Sequence, residues 1–89
     1  MIAIITIDLE IIPDKNKFAD MRRAALKLTN DSKSIKVRKY EHNDDYRLET
    51  LFSMKNIAQN KVVDQVFHEF EYVSGDYDDF IDISVSFRK

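Results

Sequence analysis

The first twelve residues alternate between apolar and polar positions. The odd positions from Ala3 to Ile11 are all apolar, whereas the even positions are polar from Thr6 through Glu10. An alternation with a period of two is typical of a β-strand that buries one face and exposes the other. The β-branched isoleucines of this segment also favour a pleated, packed surface. The pattern therefore predicts a central strand over residues 2–12, around which the rest of the chain folds.

Two later segments carry apolar residues at helical spacing. The first stripe, at i, i+3, i+7 and i+10, consists of Phe18, Met21, Ala25 and Leu28. The second stripe, at i, i+3, i+4 and i+7, consists of Val63, Val66, Phe67 and Phe70. Each stripe lies on one face of an α-helix, which predicts two amphipathic helices that pack on a core. Asp14 and Asn56 are the expected N-caps of these helices, and Asn30 is the expected stop of the first.

Three further segments alternate in the same way as the first. They cover residues 34–42, 46–54 and 80–88. Residues 43–45, Asn-Asp-Asp, form the expected turn between the first two of these strands. The last strand has the clearest alternation, with apolar residues at Ile81, Ile83, Val85 and Phe87.

The predicted elements follow one another in the order β-α-β-β-α-β. Right-handed crossover connections place both helices on one face of a four-stranded antiparallel sheet, which is the ferredoxin-like arrangement. The strand order of that arrangement is 4-1-3-2, so the first and third strands are central. The chain, residues 1–89, is short enough to fold as a single domain. The sequence thus predicts the α+β class and a single ferredoxin-like domain.

The composition excludes several classes of function. A single glycine, Gly75, cannot supply the glycine pairs of nucleotide-binding loops, and the absence of cysteine excludes disulfides and thiolate metal sites. We therefore expect no cofactor. Asp8 and Glu10 interrupt the longest apolar stretch, which makes it unsuitable as a membrane span, and the chain lacks the basic leader of a signal peptide. These features predict a cytoplasmic protein with no membrane partner.

The acidic segment at residues 76–82 has the composition of a calcium-binding loop. An EF-hand loop of about twelve residues starting at Asp76 would need glycine at its sixth position and glutamate at its twelfth. Ile81 and Phe87 occupy those positions. We therefore interpret the segment as an acidic connection between helix and strand rather than as a metal site.

The predicted sheet has one face without helices, and the residues expected there are mostly polar. An RNA-recognition sheet carries aromatic residues on this face for base stacking. Tyr40 is the only aromatic residue expected there, so an RNA-recognition sheet is excluded. The face also lacks the apolar residues that an apolar ligand cavity or a face-to-face dimer would need. We expect a solvated face on which Asp8 lies opposite Arg47.

Charges of opposite sign occupy different parts of the chain. Residues 15–39 carry nine bases and two acids, a net charge of +7, whereas residues 40–82 carry three bases and eleven acids, a net charge of −8. In the predicted fold the first helix and the second strand form a basic edge. The members of this basic edge are Arg22, Arg23, Lys27, Lys36, Arg38 and Lys39. The members of the opposite, acidic edge are Asp76, Asp78, Asp79 and Asp82.

Three interpretations of these edges are open. Both can be solvated surface without a partner. The basic edge can hold a nucleic-acid backbone, because phosphate contacts give affinity without sequence preference. Alternatively, the edges can serve protein contacts, either between copies of the chain or with a charged protein partner. The net charge of −2 argues against nucleic acid as the main ligand.

Asp8 lies near the C-terminal end of the first strand, in the segment Thr6-Ile7-Asp8-Leu9. In topology, length and this short motif, the chain resembles the small CRISPR-associated ferredoxin-fold nucleases and the GhoS-type antitoxin endoribonucleases. The resemblance implies a dimer in which Asp8 is the metal ligand and catalytic residue of Mg²⁺-dependent phosphodiester cleavage. The serine-valine-phenylalanine segment typical of the nucleases after the second strand is here Lys39-Tyr40-Glu41-His42.

The leading hypothesis is a non-catalytic regulatory domain that self-associates and contacts a charged protein partner through its charged edges. It depends on the separation of charge in a fold that has no recognisable cofactor loop. The alternative hypothesis is a Mg²⁺-dependent endoribonuclease or a nucleic-acid-binding protein, in which Asp8 is the metal ligand.

Overall fold

The computed structural model describes residues 1–54, 58–74 and 80–89 of the chain. Its elements are β1 (Ile2–Leu9), α1 (Lys15–Leu26), a 3₁₀ turn (Ser32–Ser34), β2 (Lys36–His42), β3 (Asp45–Ser53), α2 (Gln59–Ser74) and β4 (Phe80–Arg88). Two helices and four strands thus follow one another in the predicted order, β-α-β-β-α-β.

The four strands form one antiparallel sheet in the order β2-β3-β1-β4. β1 lies inside this sheet, where Ile2 is opposite Ser53 of β3 and Arg88 of β4. At its other end, Leu9 is opposite Tyr46 of β3. The predicted strand order and the central positions of β1 and β3 are therefore confirmed. β2 and β4 form the two edges of the sheet.

The hydrophobic core lies between the sheet and both helices. Ile5 and Ile7 of β1 are 0% and 1% exposed, and Met21 of α1 and Phe70 of α2 are both 0% exposed. α1 packs against β2 and β3, and α2 packs against β1 and β4. Because all these side chains share one core cluster, both helices cover the same face of the sheet. This arrangement confirms the predicted α+β fold.

α1 begins where the sequence predicts and ends earlier. The carboxylate of Asp14 accepts a hydrogen bond from the backbone N–H of Lys17 at 3.0 Å, which satisfies one of the free donors of the first turn. The helix ends at Leu26 rather than near Asn30. Lys27 caps this end with backbone hydrogen bonds to the preceding turn, so the chain leaves the helix before the predicted stop.

β1 and β2 are shorter than predicted. β1 ends at Leu9, opposite Phe80, where its partner β4 begins. Ile11 and Ile12 therefore lie outside the sheet and are each 57% exposed. β2 begins at Lys36 because the preceding Ser32–Ser34 form a 3₁₀ turn.

The hairpin between β2 and β3 has the predicted turn. Asn43 and Asp44 have φ angles of 50° and 70°. A tight two-residue hairpin needs this left-handed backbone, and asparagine and aspartate adopt it more easily than other non-glycine residues. The Asn-Asp pair therefore fixes the register between the two strands.

The buried stripe of α2 contains Val66 and Phe70 as predicted, but it starts at Val62 instead of Val63. Val62, Val66 and Phe70 are 0%, 1% and 0% exposed, at i, i+4 and i+8. Val63, which the sequence predicts to be buried, is half-buried. Helical spacing alone allows either Val62 or Val63 to face the core. The packing of α2 on β1 and β4 places Val62 there. The predicted N-cap Asn56 lies outside the described residues.

Candidate functional site

The sheet face opposite the helices, named the open face below, carries the polar side chains of the sheet in ordered rows. Strand register brings one residue from each strand into a row that crosses the sheet. One row consists of Arg38, Glu49, Thr6 and Ser84, and the next of Tyr40, Arg47, Asp8 and Asp82. Directly opposite residues of antiparallel strands point to the same side, so each row brings its four side chains together.

Asp8 and Arg47 form an ion pair with two hydrogen bonds. The Nε and Nη2 atoms of Arg47 donate to the two carboxylate oxygens of Asp8 at 2.8 and 3.2 Å. The side chains of Arg47 and Asp8 are 24% and 26% exposed. The hydrogen bond to Asp8 raises the pKa of the Arg47 guanidinium, although burial acts in the opposite direction. Asp8 therefore lies opposite Arg47 as predicted, with both carboxylate oxygens occupied.

This ion pair is part of a network that reaches the edge strand β2. Arg38 donates to one carboxylate oxygen of Glu49, and the Tyr40 hydroxyl donates to the other at 3.1 Å. Burial alone would raise the pKa of Glu49, but the hydrogen bonds from Arg38 and Tyr40 and the nearby arginine charges lower it. Tyr40 also interacts with Arg47. The network thus runs from β2 through β3 to β1 and holds these three strands together.

Asp82 lies beside Asp8, on the edge strand β4. Like charges directly opposite each other repel, and Arg47 offsets this repulsion from the β3 side of Asp8. The register shifts immediately after this pair, because Leu9 is opposite Phe80, which leaves a bulge in β4. The sheet therefore brings together two of the site residues expected from the sequence, Asp8 and Asp82, at a point where the pairing of β4 changes.

Arg47 shares the carboxylate to which the family resemblance assigns Mg²⁺. Magnesium binds carboxylate oxygens directly and keeps several of its waters. Both oxygens of Asp8 already accept hydrogen bonds from Arg47. Among the described residues, no group of three acidic, histidine or cysteine side chains could hold a metal ion. A metal at Asp8 would therefore share this carboxylate with the positive charge of Arg47, which opposes the binding of a second cation.

Most residues of the basic edge contact their own chain. Arg22 Nη1 donates to the carbonyl oxygen of Ile35 at 3.1 Å. Lys39 Nζ donates to the carbonyl oxygen of Pro13 at 3.3 Å. The ion pairs of this edge are Arg23–Asp20, Lys27–Glu69 at 3.0 Å, and Arg38–Glu49. The side chain of Lys36 is exposed and forms neither a hydrogen bond nor an ion pair within the described ranges.

These contacts leave the basic edge accessible. Arg23, Lys27 and Arg38 keep 65%, 64% and 59% of their side-chain surface exposed. Ion pairs between exposed side chains contribute little to stability, because water and salt screen them. The cations of the basic edge can therefore exchange their internal partners for the carboxylates or phosphates of another molecule.

The acidic edge is described only in part. Its expected members Asp76, Asp78 and Asp79 lie outside the described residues. Asp82 is exposed near the start of β4. The strand directions also separate charge along the strands, which the sequence analysis did not anticipate. Lys36 and Arg88 lie at one end of the sheet, whereas Asp45 and Asp82 lie at the other.

One end of the open face is apolar, contrary to prediction. Ile4 lies opposite Leu51, and Leu51 is only 8% exposed although it does not belong to the core cluster. Ile2 and Leu51 line a cavity of about 370 Å³ that Lys36 and Arg88 border. The prediction that this face lacks apolar residues is therefore wrong at this end. The signal was present in the sequence, because Ile2 and Ile4 occupy even positions of β1.

The chain matches no protein-family model, no curated protein and no solved structure. Inferences about function therefore depend on the charges, contacts and topology of the chain itself. Within the described ranges, none of the helices has the length and apolar character needed to cross a membrane.

Proposed function

We propose that this chain is a small regulatory domain that works through protein contacts rather than catalysis. It binds an acidic protein partner along its basic edge, and it does so as a homodimer. Three features support this function: the basic residues of α1 and β2 lie along one edge, they are exposed, and an arginine engages the aspartate that a nuclease would use.

The contact between Arg22 and Ile35 is the observation that carries the proposal. It joins α1 to the residue that precedes β2, with a donor–acceptor distance of 3.1 Å. The basic residues of the helix and those of the strand therefore lie along the same edge of the domain. An excess of charge of one sign at an edge attracts an oppositely charged partner over a distance and then orients it through local ion pairs.

Lys39 and Lys36 have different roles along this edge. Lys39 Nζ donates to the carbonyl oxygen of Pro13 and lies 5.4 Å from the centre of the Phe18 ring, within the range of a cation–π contact. These contacts hold Lys39 against α1. Lys36 is exposed and has no such contact within the described residues. It is therefore the cation of β2 that is most available to a carboxylate of the partner.

The ion pair between Asp8 and Arg47 favours a binding function over a catalytic one. A general base or a metal ligand needs a carboxylate oxygen that can reach the substrate or the ion. Arg47 occupies both oxygens of Asp8. Glu49, in the next row, is engaged by Arg38 and Tyr40. These carboxylates therefore stabilise the sheet.

Reversal of one exposed cation tests partner binding. Affinity capture would compare the native chain with Lys36→Glu and with Lys61→Glu, because Lys61 is also exposed but lies on α2. We expect an acidic protein that the native chain and Lys61→Glu capture and that Lys36→Glu loses. With this protein purified, calorimetry should give a dissociation constant about tenfold higher for Lys36→Glu. Equal binding by both variants, or capture that nuclease treatment removes, would contradict the proposal.

A Mg²⁺-dependent endoribonuclease or nucleic-acid-binding protein is the alternative function. The observation that favours it is the register of β1 and β4, which places the carboxylates of Asp8 and Asp82 side by side. The nuclease alternative predicts Mg²⁺-dependent cleavage of single-stranded RNA that Asp8→Asn abolishes without unfolding the protein. Binding of RNA or duplex DNA that falls steeply with salt, without cleavage, would indicate a backbone-binding protein instead. Neither binding nor cleavage would favour the protein-contact function.

A further inference from the structure

β4 is an edge strand that lacks charges and prolines along most of its length. An edge strand presents unpaired backbone N–H and C=O groups to which another strand can bind. Proteins commonly prevent this with a short edge strand or with charged residues and prolines along it. β4 (Phe80–Arg88) is 9 residues long. Its bulge lies before Asp82, and between Asp82 and Arg88 it has neither a charge nor a proline. Over this segment no described strand pairs with its outer side, which is therefore open to a second strand.

The core side of β4 is incompletely covered. Ile83, Val85 and Phe87 are half-buried and pack at the margin of the core. Their neighbours on β1, Ile5 and Ile7, are 0% and 1% exposed. A strand beside β4 would remove the remaining apolar surface from water, which stabilises the pairing. The open backbone and the partly exposed apolar row thus lie along the same edge.

The two charged residues of β4 have no side-chain partner among the described residues of their own chain. Asp82 and Arg88 are both exposed and lie on the open face. They are six positions apart, a distance of about 20 Å along a strand, so they cannot reach each other. Neither has an ion pair or side-chain hydrogen bond with another part of the described chain. Asp82 instead lies opposite Asp8, a like charge.

We propose that two copies of the chain pair through β4 as antiparallel strands. Charge selects the register: when Asp82 lies opposite the partner's Arg88, Val85 lies opposite the partner's Val85. Ile83 then faces the partner's Phe87, and both lie on the core side. A shift by one residue would bring core-side residues opposite open-face residues, and a shift by two would break both ion pairs. The register centred on Val85 therefore places opposite charges opposite each other and apolar residues opposite apolar residues.

The resulting dimer has a continuous sheet of eight strands, four from each copy. Its interface is isologous, since each copy contributes the same strand. The helices of both copies lie on one face, because opposite residues of antiparallel strands point to the same side. β2 stays at the outer edge of each copy. This inference rests on the proposed function and specifies it: β4 joins the copies, and the basic edge faces the acidic partner.

Charge reversal and charge exchange on β4 test the inference. Analytical ultracentrifugation would give the dimer dissociation constant of the native chain, Asp82→Arg, Arg88→Asp and the double variant. Each single variant turns two attractive cross-strand pairs into two repulsive ones, so we expect the constant to rise about tenfold or more. The double variant restores both pairs with exchanged charges, and we expect it to return to within about threefold of the native value. Circular dichroism would verify that each variant folds.

Lys36→Glu is the matched control, because it reverses a charge on the other edge strand. We expect its dimer dissociation constant to equal that of the native chain. A native chain that is monomeric at about 1 mM, or a double variant as weak as the single ones, would overturn the inference. Loss of the dimer in Lys36→Glu would also overturn it, since the interface would then include β2. Partner capture by Asp82→Arg but not by Lys36→Glu separates the two proposals, because partner binding then persists without the β4 interface.

Discussion

The two edge strands of this sheet place their charges differently. β2 carries charges at its centre, at Arg38 and Lys39, whereas β4 carries them only near its ends, at Asp82 and Arg88. Central charges on an edge strand oppose pairing with another strand. Terminal charges of opposite sign favour antiparallel pairing with a copy of the same strand, because the acidic end of one copy then lies opposite the basic end of the other. The comparison indicates that one edge of a sheet can bind other proteins while the opposite edge pairs with a second copy of the same chain.

The same two edges also differ in their links to the rest of the sheet. β2 is tied to β3 on the open face by Arg38 and Tyr40, which both contact Glu49. The described open-face residues of β4 have no comparable side-chain link to β1; Asp82 there lies opposite Asp8. β2 is therefore stabilised within one chain, whereas the charged side chains of β4 remain available for the proposed pairing with a second copy.

The largest expected effect tests whether the core is less complete under β4 than under β1. Ile7 and Ile83 lie opposite each other on these strands, and Ile7 is 1% exposed whereas Ile83 is half-buried. We expect Ile7→Ala to lower the free energy of unfolding by about 2–5 kcal/mol, and Ile83→Ala to lower it by less. Urea unfolding at low protein concentration measures both. The loss from Ile83→Ala should grow with concentration as dimers form. Equal losses in dilute solution would contradict the proposed difference in cover.

The second effect comes from giving β4 the kind of protection that β2 has. Val85→Lys places a charge on the core side of the edge strand and, in the proposed dimer, opposite its own copy. We expect the dimer dissociation constant to rise about 100-fold, which corresponds to about 2.8 kcal/mol. Val85→Thr keeps the β-branched shape and serves as the control in ultracentrifugation. A dimer that tolerates Val85→Lys would show that β4 is not the interface.

The smallest expected effect tests the hydrogen bonds of Glu49, which link β2 to β3. Glu49 has a lowered pKa in the folded protein, so its contribution to stability is present above its ordinary pKa of 4.5 and is lost as the pH falls through the lower folded value. We expect Glu49→Gln to lower the free energy of unfolding by about 1 kcal/mol at pH 7. Urea unfolding between about pH 7 and pH 2 should show this difference disappear at the acidic end. A difference that is independent of pH would exclude the charge of Glu49 as its cause.

The fold could be predicted because the spacing of apolar residues determines which segments form strands and which form helices. Alternation along β1 and β4 and the helical stripe of α1 identify the elements, and the Asn-Asp turn fixes the β2–β3 hairpin. Element ends were less predictable, because they depend on partners. β1 ends at Leu9 where β4 begins opposite it, and the choice between Val62 and Val63 depends on how α2 packs.

The candidate site was predictable only where register alone determines a contact. Alternation and strand order suffice to place Asp8 opposite Arg47. The contact of Arg22 with the carbonyl of Ile35 depends on the docking of α1 and on a side-chain conformation, so no spacing in the sequence indicates it. The cover of Leu51 on the open face depends on its neighbours on two other strands, which are distant in sequence.

Cysteine cross-linking compares the two edges most directly. The chain has no cysteine, so one introduced residue reports on one position. Val85 of β4 and Val37 of β2 are both half-buried at the margin of the core, which makes Val37→Cys the matched control for Val85→Cys. In the proposed dimer the two Cα atoms of residue 85 are about 4.5–5.5 Å apart, a separation that a disulfide spans. Non-reducing electrophoresis after mild oxidation should show a covalent dimer of Val85→Cys and a monomer of Val37→Cys. The reverse result, or no cross-link of Val85→Cys where the native chain is dimeric, would contradict the account.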